Sequence, residues 1–481
     1  MLRALALLFT LVLTLFQGAS EAGEDSWYFA IEADTNLVIA YNAQGERVPL
    51  VQGDGNLSAR GRWRVDDETL LVQFETAPDD FPMYLLHPDG ATLLPYTFRE
   101  VMQVVAYHEP YAVVMPVTPT VAVSPSILLD LEAATAELLS AETSPIVEAF
   151  PCCRFSSDGS VLRYLTRTNV EDAPQSGDFH LQERNLESGE QRTIVTMPRN
   201  DQATGEQITM WQPNLEGDRW LVSASGPAPE GSERRRILLS WLITLDGMVE
   251  PLSDQEDAPV IYRFWDDRIM AFDPFCEKDC ALQVLNSDLE VQLTVTSAED
   301  MTLVRPHYLD DGYLIATVGQ EHLRLSENDA PEVIGYFSPR YMSGEFISHD
   351  GRWLAVLDDP DTPEEVRIYD AAEDTAVLTH EITGFPFVMF SGAWLILMDN
   401  EGRSLNWNII DLKTGDTAEF SSEADSLAEV LSLDSVIVTH QSDDDEAGLQ
   451  RYSIEDGESE MLIPGKYVPL SGPYIGDATL R

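Results

Sequence analysis

The chain of 481 residues carries 83 acidic against 29 basic side chains, a net charge of −54. A field of that sign repels phosphate backbones and anionic lipid, so nucleic-acid partners are excluded. Only Lys278, Lys413 and Lys466 are lysines, and dense carboxylate with scarce lysine fits either a salt-adapted surface or that of a simply soluble acidic protein.

The N-terminus reads Met1-Leu2-Arg3, an apolar run from Ala4 to Phe16, and the small-residue stretch Gly18 to Ala22. This is the layout of a secretory signal peptide cut after Ala22. The run has 13 residues, whereas a bilayer span takes about 20. No later stretch is long and apolar enough to cross, so residues 23–481 are expected to be exported without a membrane span, to the periplasm or beyond. No cysteine stands near the cleavage region for lipid attachment, the first being Cys152. Asn56-Leu57-Ser58 is a glycosylation sequon only in a host that glycosylates.

From Trp27 to Val51 the pattern predicts three strands. A repeat then begins, each copy opening with an Asp- or Gly-bearing turn followed by an apolar strand. Its sharpest copies are Ser157-Asp158-Gly159-Ser160-Val161-Leu162 and Ser348-His349-Asp350-Gly351-Arg352-Trp353-Leu354. Asp and Gly belong there because they adopt tight-turn dihedrals at little steric cost. Looser copies are anchored at Asp66, Glu109, Gly217, Asp266, Asp311, Gly392 and Asp434. Each copy continues with a strand, a turn and a returning strand, as in Met83 to Tyr96, His180 to Val195, Val366 to Leu378, Leu405 to Phe420 and Leu449 to Ile463.

The anchors recur at a period of roughly 40 to 50 residues, with four short strands per copy, which is the signature of an all-β propeller. The Ser-x-Asp-Gly-x-x-Leu turn, with a following strand ending in Tyr369-Asp370, resembles the repeat of WD40-like and TolB-like propellers. That resemblance implies four-stranded blades and a role in protein contacts at the bacterial envelope. The Gly-His and Trp-Asp pairs of true WD40 repeats are absent. Nine anchors plus the leading strands give nine to ten units over residues 23–481, hence seven or more blades in one ring or two. Pro116 to Pro125 and Gly226 to Gly231 read as loops inside units. The short segment from Lys466 onward is expected to close a blade with the N-terminal strands, removing exposed edges.

Four cysteines come as Cys152-Cys153 and Cys276 with Cys280. In an exported chain an even count suggests disulfides. The two clusters can pair with each other, Cys276 and Cys280 can staple their own loop, or Cys152 and Cys153 can close a vicinal ring. Vicinal rings occur in quinoprotein alcohol dehydrogenases, whose docking repeat is missing from this chain. Asp358-Asp359-Pro360-Asp361 and Asp443-Asp444-Asp445-Glu446 fall at equivalent hairpins. They are the candidate ligands for calcium, which takes six to eight oxygens, although neither has the spacing of a calcium loop and solvated acidic loops are the plain reading. Arg234-Arg235-Arg236 is the one basic run, beside Glu230 and Glu233. His349 is read as a turn residue. No nucleophile elbow, zinc-protease helix or phosphate loop occurs.

The expectation is a binding or scaffold module for a protein, glycan or envelope component. The rival is a propeller enzyme with a central-channel site, either a calcium-assisted lactonase or hydrolase, or a quinone-dependent oxidoreductase. The sequence names neither ligand nor oligomeric state.

Overall fold

A computed structural model describes residues 26–470 except 54–56, 67, 118–125, 140–142, 145–152, 169–178, 198–206, 215–216, 228–235, 253–259, 266–267, 273–279, 298–303, 311–312, 319, 327–329, 339–342, 345, 349–350, 382–386, 392–393, 402–403, 413, 415, 423–424 and 441–446. Among these residues every regular element is a strand, arranged in nine sheets. The blades are antiparallel meanders, apart from the parallel rung of Ser343–Gly344 with Phe387 and Val388 and the C-terminal strand that joins the first sheet, and the fold is a β-propeller of four-stranded blades, as the repeat predicts. In chain order the blades span residues 27–52, 58–93, 102–138, 143–197, 207–251, 261–297, 304–336, 346–381, 387–422 and 425–464, here blades 1 to 10, with Ser343–Gly344 paired to the first strand of blade 9. Blades 7 and 8 form one seven-stranded sheet through the single rung Tyr336 to Leu357.

Each described repeat anchor, Asp66, Glu109, Asp158, Gly217 and Asp434, falls between the first and second strands of its blade, as Asp66 does between Ser58–Arg64 and Leu70–Glu75 and Asp434 between Asp425–Ser432 and Ser435–His440; Asp266, Asp311, Asp350 and Gly392 lie outside the described residues. The second strand is the most buried, as at Leu70–Glu75, Tyr313–Val318 and Ser435–His440. These runs are apolar on both faces, since each lies between neighbouring blades. Fourth strands such as Val249–Pro251 and Thr375–Glu381 are exposed and polar or mixed. The blade therefore grades from a dry second strand to a wet outer edge.

The chain divides into two compact units. The first comprises residues 1–102, 320–322 and 334–481, and the second residues 103–319 and 323–333. In the first unit, apolar clusters join blade 2 to blade 1 (Phe29, Val38, Leu70, Phe74), blade 1 to blade 10 (Tyr28, Ile39, Ile437, Leu449), blade 10 to blade 9 (Val436, Val438, Ile396, Trp407) and blade 9 to blade 8 (Leu395, Leu397, Ala355, Val366). In the second unit the same face-to-face packing joins blades 3 and 4, 4 and 5, 5 and 6, and 6 and 7.

Blade 1 is completed from the other end of the chain. Its sheet order is Arg47–Gln52, Leu37–Asn42, Trp27–Glu32, Tyr467–Pro469, with Ala30, Ile31 and Glu32 opposite Pro469, Val468 and Tyr467. The expected closure is present, and the C-terminal strand takes the first-strand place.

The sharp turn has one geometry in three blades. In blade 4 the amide of Ser156 donates to the carbonyl of Val161, Gly159 donates to the carbonyl of Ser156, and Val161 donates to Ser156 Oγ. Ser348, Gly351 and Trp353 repeat this in blade 8, and Asn214, Gly217 and Arg219 in blade 5. The glycines stand at φ of +68, +70 and +66°, a left-handed conformation that other residues adopt at a cost. The motif thus begins at Ser156, one residue before the stretch that sequence picks out. The copy at Gly217 is a full one, with Asn214 replacing serine.

Candidate functional site

The described cations are largely absorbed by the sheets themselves. Arg163 Nε donates to Glu183 at 2.9 Å and Nη1 to the Gly217 carbonyl, while Arg192 takes the other oxygen of Glu183 at 2.6 Å. Burial works against the Glu183 anion, but the two arginines outweigh it and hold the carboxyl below its ordinary range. Arg352 forms a two-pronged pair with Asp370, at 2.9 and 2.7 Å, which ties the sharp turn of blade 8 to the end of its third strand. Burial again opposes the Asp370 anion and the Arg352 bonds prevail. Arg184 is bidentate on Glu137, and Arg47 and Arg60 pair with Glu32 and Glu75. Arg62 is buried on the first strand of blade 2, where desolvation pushes its pKa down to about 10 and Nη1 reaches the Pro469 carbonyl at 3.4 Å.

Carboxylates gather instead at the loops joining second to third strands. In the first unit these positions carry Asp34 in blade 1, Asp79 and Asp80 in blade 2, and Asp358, Asp359, Asp361 and Glu364 in blade 8. Because the meander runs alike in every blade, this run of loops belongs to one end of the unit. Asp358 opens the loop between the second and third strands of blade 8.

At blade 8 the loop is built by its own acids. Asp358 Oδ1 accepts the amides of Glu364 and Glu365 at 3.0 and 3.1 Å, and Asp359 Oδ1 those of Asp361 and Thr362 at 2.8 and 2.7 Å. Those amide bonds hold the Asp359 carboxyl below its ordinary range. In blade 2, Asp80 accepts the Thr76 hydroxyl in the same manner. Asp361 and Glu364 are exposed. Among the described residues no three Asp, Glu, His or Cys side chains are grouped so as to hold a metal ion, so Asp358, Asp359 and Asp361 do not assemble such a group there. Asp443, Asp444 and Asp445 lie outside the described residues.

Cys153 is buried in the cluster between blades 3 and 4 and is disulfide-bonded. Cys152 and Cys276 lie outside the described residues, as does the side chain of Cys280, which begins the third strand of blade 6. His349, Arg234, Arg235, Asn56 and the leader 1–22 fall outside them as well, as does the side chain of Arg236, which begins the third strand of blade 5. The histidine that sequence reading passed over is His322, fully buried beside Phe346, itself stacked on Phe337 at 3.9 Å. Desolvation pushes its pKa down to about 4. A single histidine in Glu321-His322-Leu323-Arg324-Leu325 shares its strand face with Arg324, opposite Leu323 and Leu325, so nothing local marks it for burial.

No family model matches the chain, and no curated protein does. Among solved structures, a eukaryotic initiation factor is similar over 83% of this chain and 96% of its own, at 13% identity and a TM-score of 0.47. Sqt1 of Saccharomyces cerevisiae is similar over 75% of this chain and 96% of its own, at 12% identity and a TM-score of 0.35. An oligogalacturonate lyase in complex with manganese covers 83% of this chain and 96% of its own, at 13% identity and a TM-score of 0.34. No residue role passes from any of them, and the propeller fold follows from the blades themselves.

Proposed function

We propose that this protein is an exported binding module, and that the second-to-third-strand loops of its first unit present carboxylates to a protein partner rich in lysine and arginine. The observation that supports this reading is a division of labour among charges. Arginines of the sheets are taken up by internal partners such as Glu183, Asp370 and Glu137, whereas the blade 8 loop is braced by Asp358 and Asp359 and leaves Asp361 and Glu364 exposed. A braced loop presents its charges without first losing conformational freedom, and a net charge of −54 steers a cationic partner toward it. Export rests on the leader, and the destination is the periplasm or the extracellular space.

The test is calorimetric titration of the mature protein with a lysine-rich peptide and with a glutamate-rich peptide of the same length. The lysine peptide is expected to bind, and the variant Asp79→Asn, Asp361→Asn, Glu364→Gln to bind it roughly tenfold more weakly, in line with about 0.5 kcal/mol per exposed charge. Equal binding of both peptides, or no loss in the variant, would sink the reading. A calcium titration in the same cell addresses the rival. Saturable calcium uptake that the variant of Asp358 and Asp359 to asparagine abolishes would favour a calcium-assisted channel enzyme.

A further inference from the structure

Arg163 and Arg62 are both buried, and both give Nη1 to a backbone carbonyl. Arg163, in blade 4, bonds the Gly217 carbonyl in this way and gives Nε to Glu183, the residue directly opposite it on the next strand. Arg62, on the first strand of blade 2, bonds the Pro469 carbonyl at 3.4 Å, and the residue directly opposite it is Val72. Arg62 is 7% exposed, and burial alone lowers its pKa, to about 10, so it remains a cation at neutral pH. The chain carries 83 acidic side chains, yet among the described residues none forms an ion pair with Arg62. Burying a guanidinium without a counter-ion is costly.

The unused edge has a defined shape. With Nη1 on Pro469, Nε and Nη2 meet no acceptor among the described residues, and these two N–H groups lie parallel on one side of the guanidinium fork. Arg352 offers that same edge to Asp370, Nε to Oδ1 and Nη2 to Oδ2. The residues opposite Arg62 and Arg64, Val72 and Leu70, belong to the apolar cluster between blades 1 and 2, as does Leu470 next to Pro469. Arg62 therefore faces blade 1 with apolar side chains beside it. Arg64 lies two residues along on the same face and is itself engaged, with Nη2 on the Trp27 carbonyl and its guanidinium over the Tyr28 ring.

We infer that Arg62 is the receptor for the carboxylate of a small organic acid, held bidentate by Nε and Nη2 at the joint of blades 1 and 2, in the role that Glu183 plays beside Arg163. The ligand has to be small, because the guanidinium is almost wholly covered, and it has to be an anion, because only an anion offsets that burial. This seat is separate from the acidic loop of blade 8 and calls for the opposite charge. The surface field opposes any anion, so the seat fills best where salt screens that field.

Saturation-transfer NMR on the full-length protein in about 0.5 M sodium chloride, where the Debye length is a few ångströms, tests this with acetate and with acetamide, its uncharged equal in shape. Acetate is expected to receive saturation with a Kd on the order of 1 mM, and acetamide none. Arg62→Lys, which keeps the charge but loses the fork, is expected to weaken acetate at least tenfold. Arg62→Met is expected to abolish the transfer, while its unfolding midpoint without acetate holds or rises. Arg60→Gln, on the same strand but exposed and paired with Glu75 in the native protein, is expected to bind acetate as the native protein does. Equal transfer to acetamide, no transfer to acetate, undiminished binding by either Arg62 variant, or an equal loss in Arg60→Gln would each overturn the proposal. So would an Arg62→Met midpoint several degrees lower without acetate, since the chain itself would then supply the carboxylate. If Arg62→Met does not fold, Arg62→Lys and the comparison of the two ligands decide.

Discussion

His322 shows how a titratable group becomes part of a dry interior. It sits on a strand whose opposite face carries the buried Leu323 and Leu325, and it packs near Phe346. Burial lowers its pKa from 6.5 to about 4, so the folded protein holds it neutral where the unfolded chain would already be protonated. The unfolded state then binds more protons between pH 6.5 and 4, and stability falls as pH drops through that window. His322→Gln is expected to flatten the fall in melting temperature between pH 6.5 and 4, leaving the carboxylate-driven loss below it. An unchanged profile would mean the imidazole is not held neutral. Asp158, by contrast, is an exposed turn acid. Bonds from the Ser156 hydroxyl and from Ser160 push it down to about 2, so its contribution persists until strongly acid pH.

At the scale of elements, blade 8 departs from its siblings. Its second strand, Trp353–Leu357, is flanked by a first strand in two pieces: Ile347 bridges Leu354 and Phe346 accepts the Ala355 amide, while Tyr336 pairs Leu357. Gly335 makes that approach possible, because a Cβ there would stand 2.5 Å from Val356 Cβ and 3.1 Å from the Leu357 carbonyl. Gly335→Ala is therefore expected to lower unfolding stability by about 1–3 kcal/mol through overpacking, measured by urea denaturation. Gly90→Ala, with nothing within 4 Å of its Cβ, is the control. Nothing in Ile334-Gly335-Tyr336 marks this in sequence, since the partner Val356 lies twenty-one residues away and only the fold brings it near. The parallel rung of Ser343 with Phe387 is equally unreadable, being the pairing of a two-residue strand.

For the whole molecule the governing quantity is charge. With a net charge of −54, self-repulsion disfavours the compact state wherever it is unscreened. The Debye length falls from about 30 Å at 0.01 M salt to about 3 Å at 1 M. The midpoint of thermal unfolding is expected to rise by several degrees between 0.01 and 1 M sodium chloride and to level off beyond. A midpoint that falls or holds steady would show that internal pairs such as Arg352 with Asp370 outweigh the surface field.

The blade rhythm was legible because a second strand must be apolar on both faces and must be entered through a tight turn, and both demands are written locally in residue type. Asp158-Gly159 and Asp350-Gly351 announce themselves for that reason. The same local grammar hid Asn214, whose side-chain oxygen does what Ser156 and Ser348 do with a hydroxyl. Sequence alone determined strand class, repeat length and the sign of the surface field. Tertiary structure decided what depends on distant partners: which arginine meets which acid, the split into two five-blade packings, and the seating of Tyr467 and Leu470 beside strands more than four hundred residues upstream. Those outcomes turn on contacts between segments that no local pattern encodes, because their free energy exists only once the blades have packed.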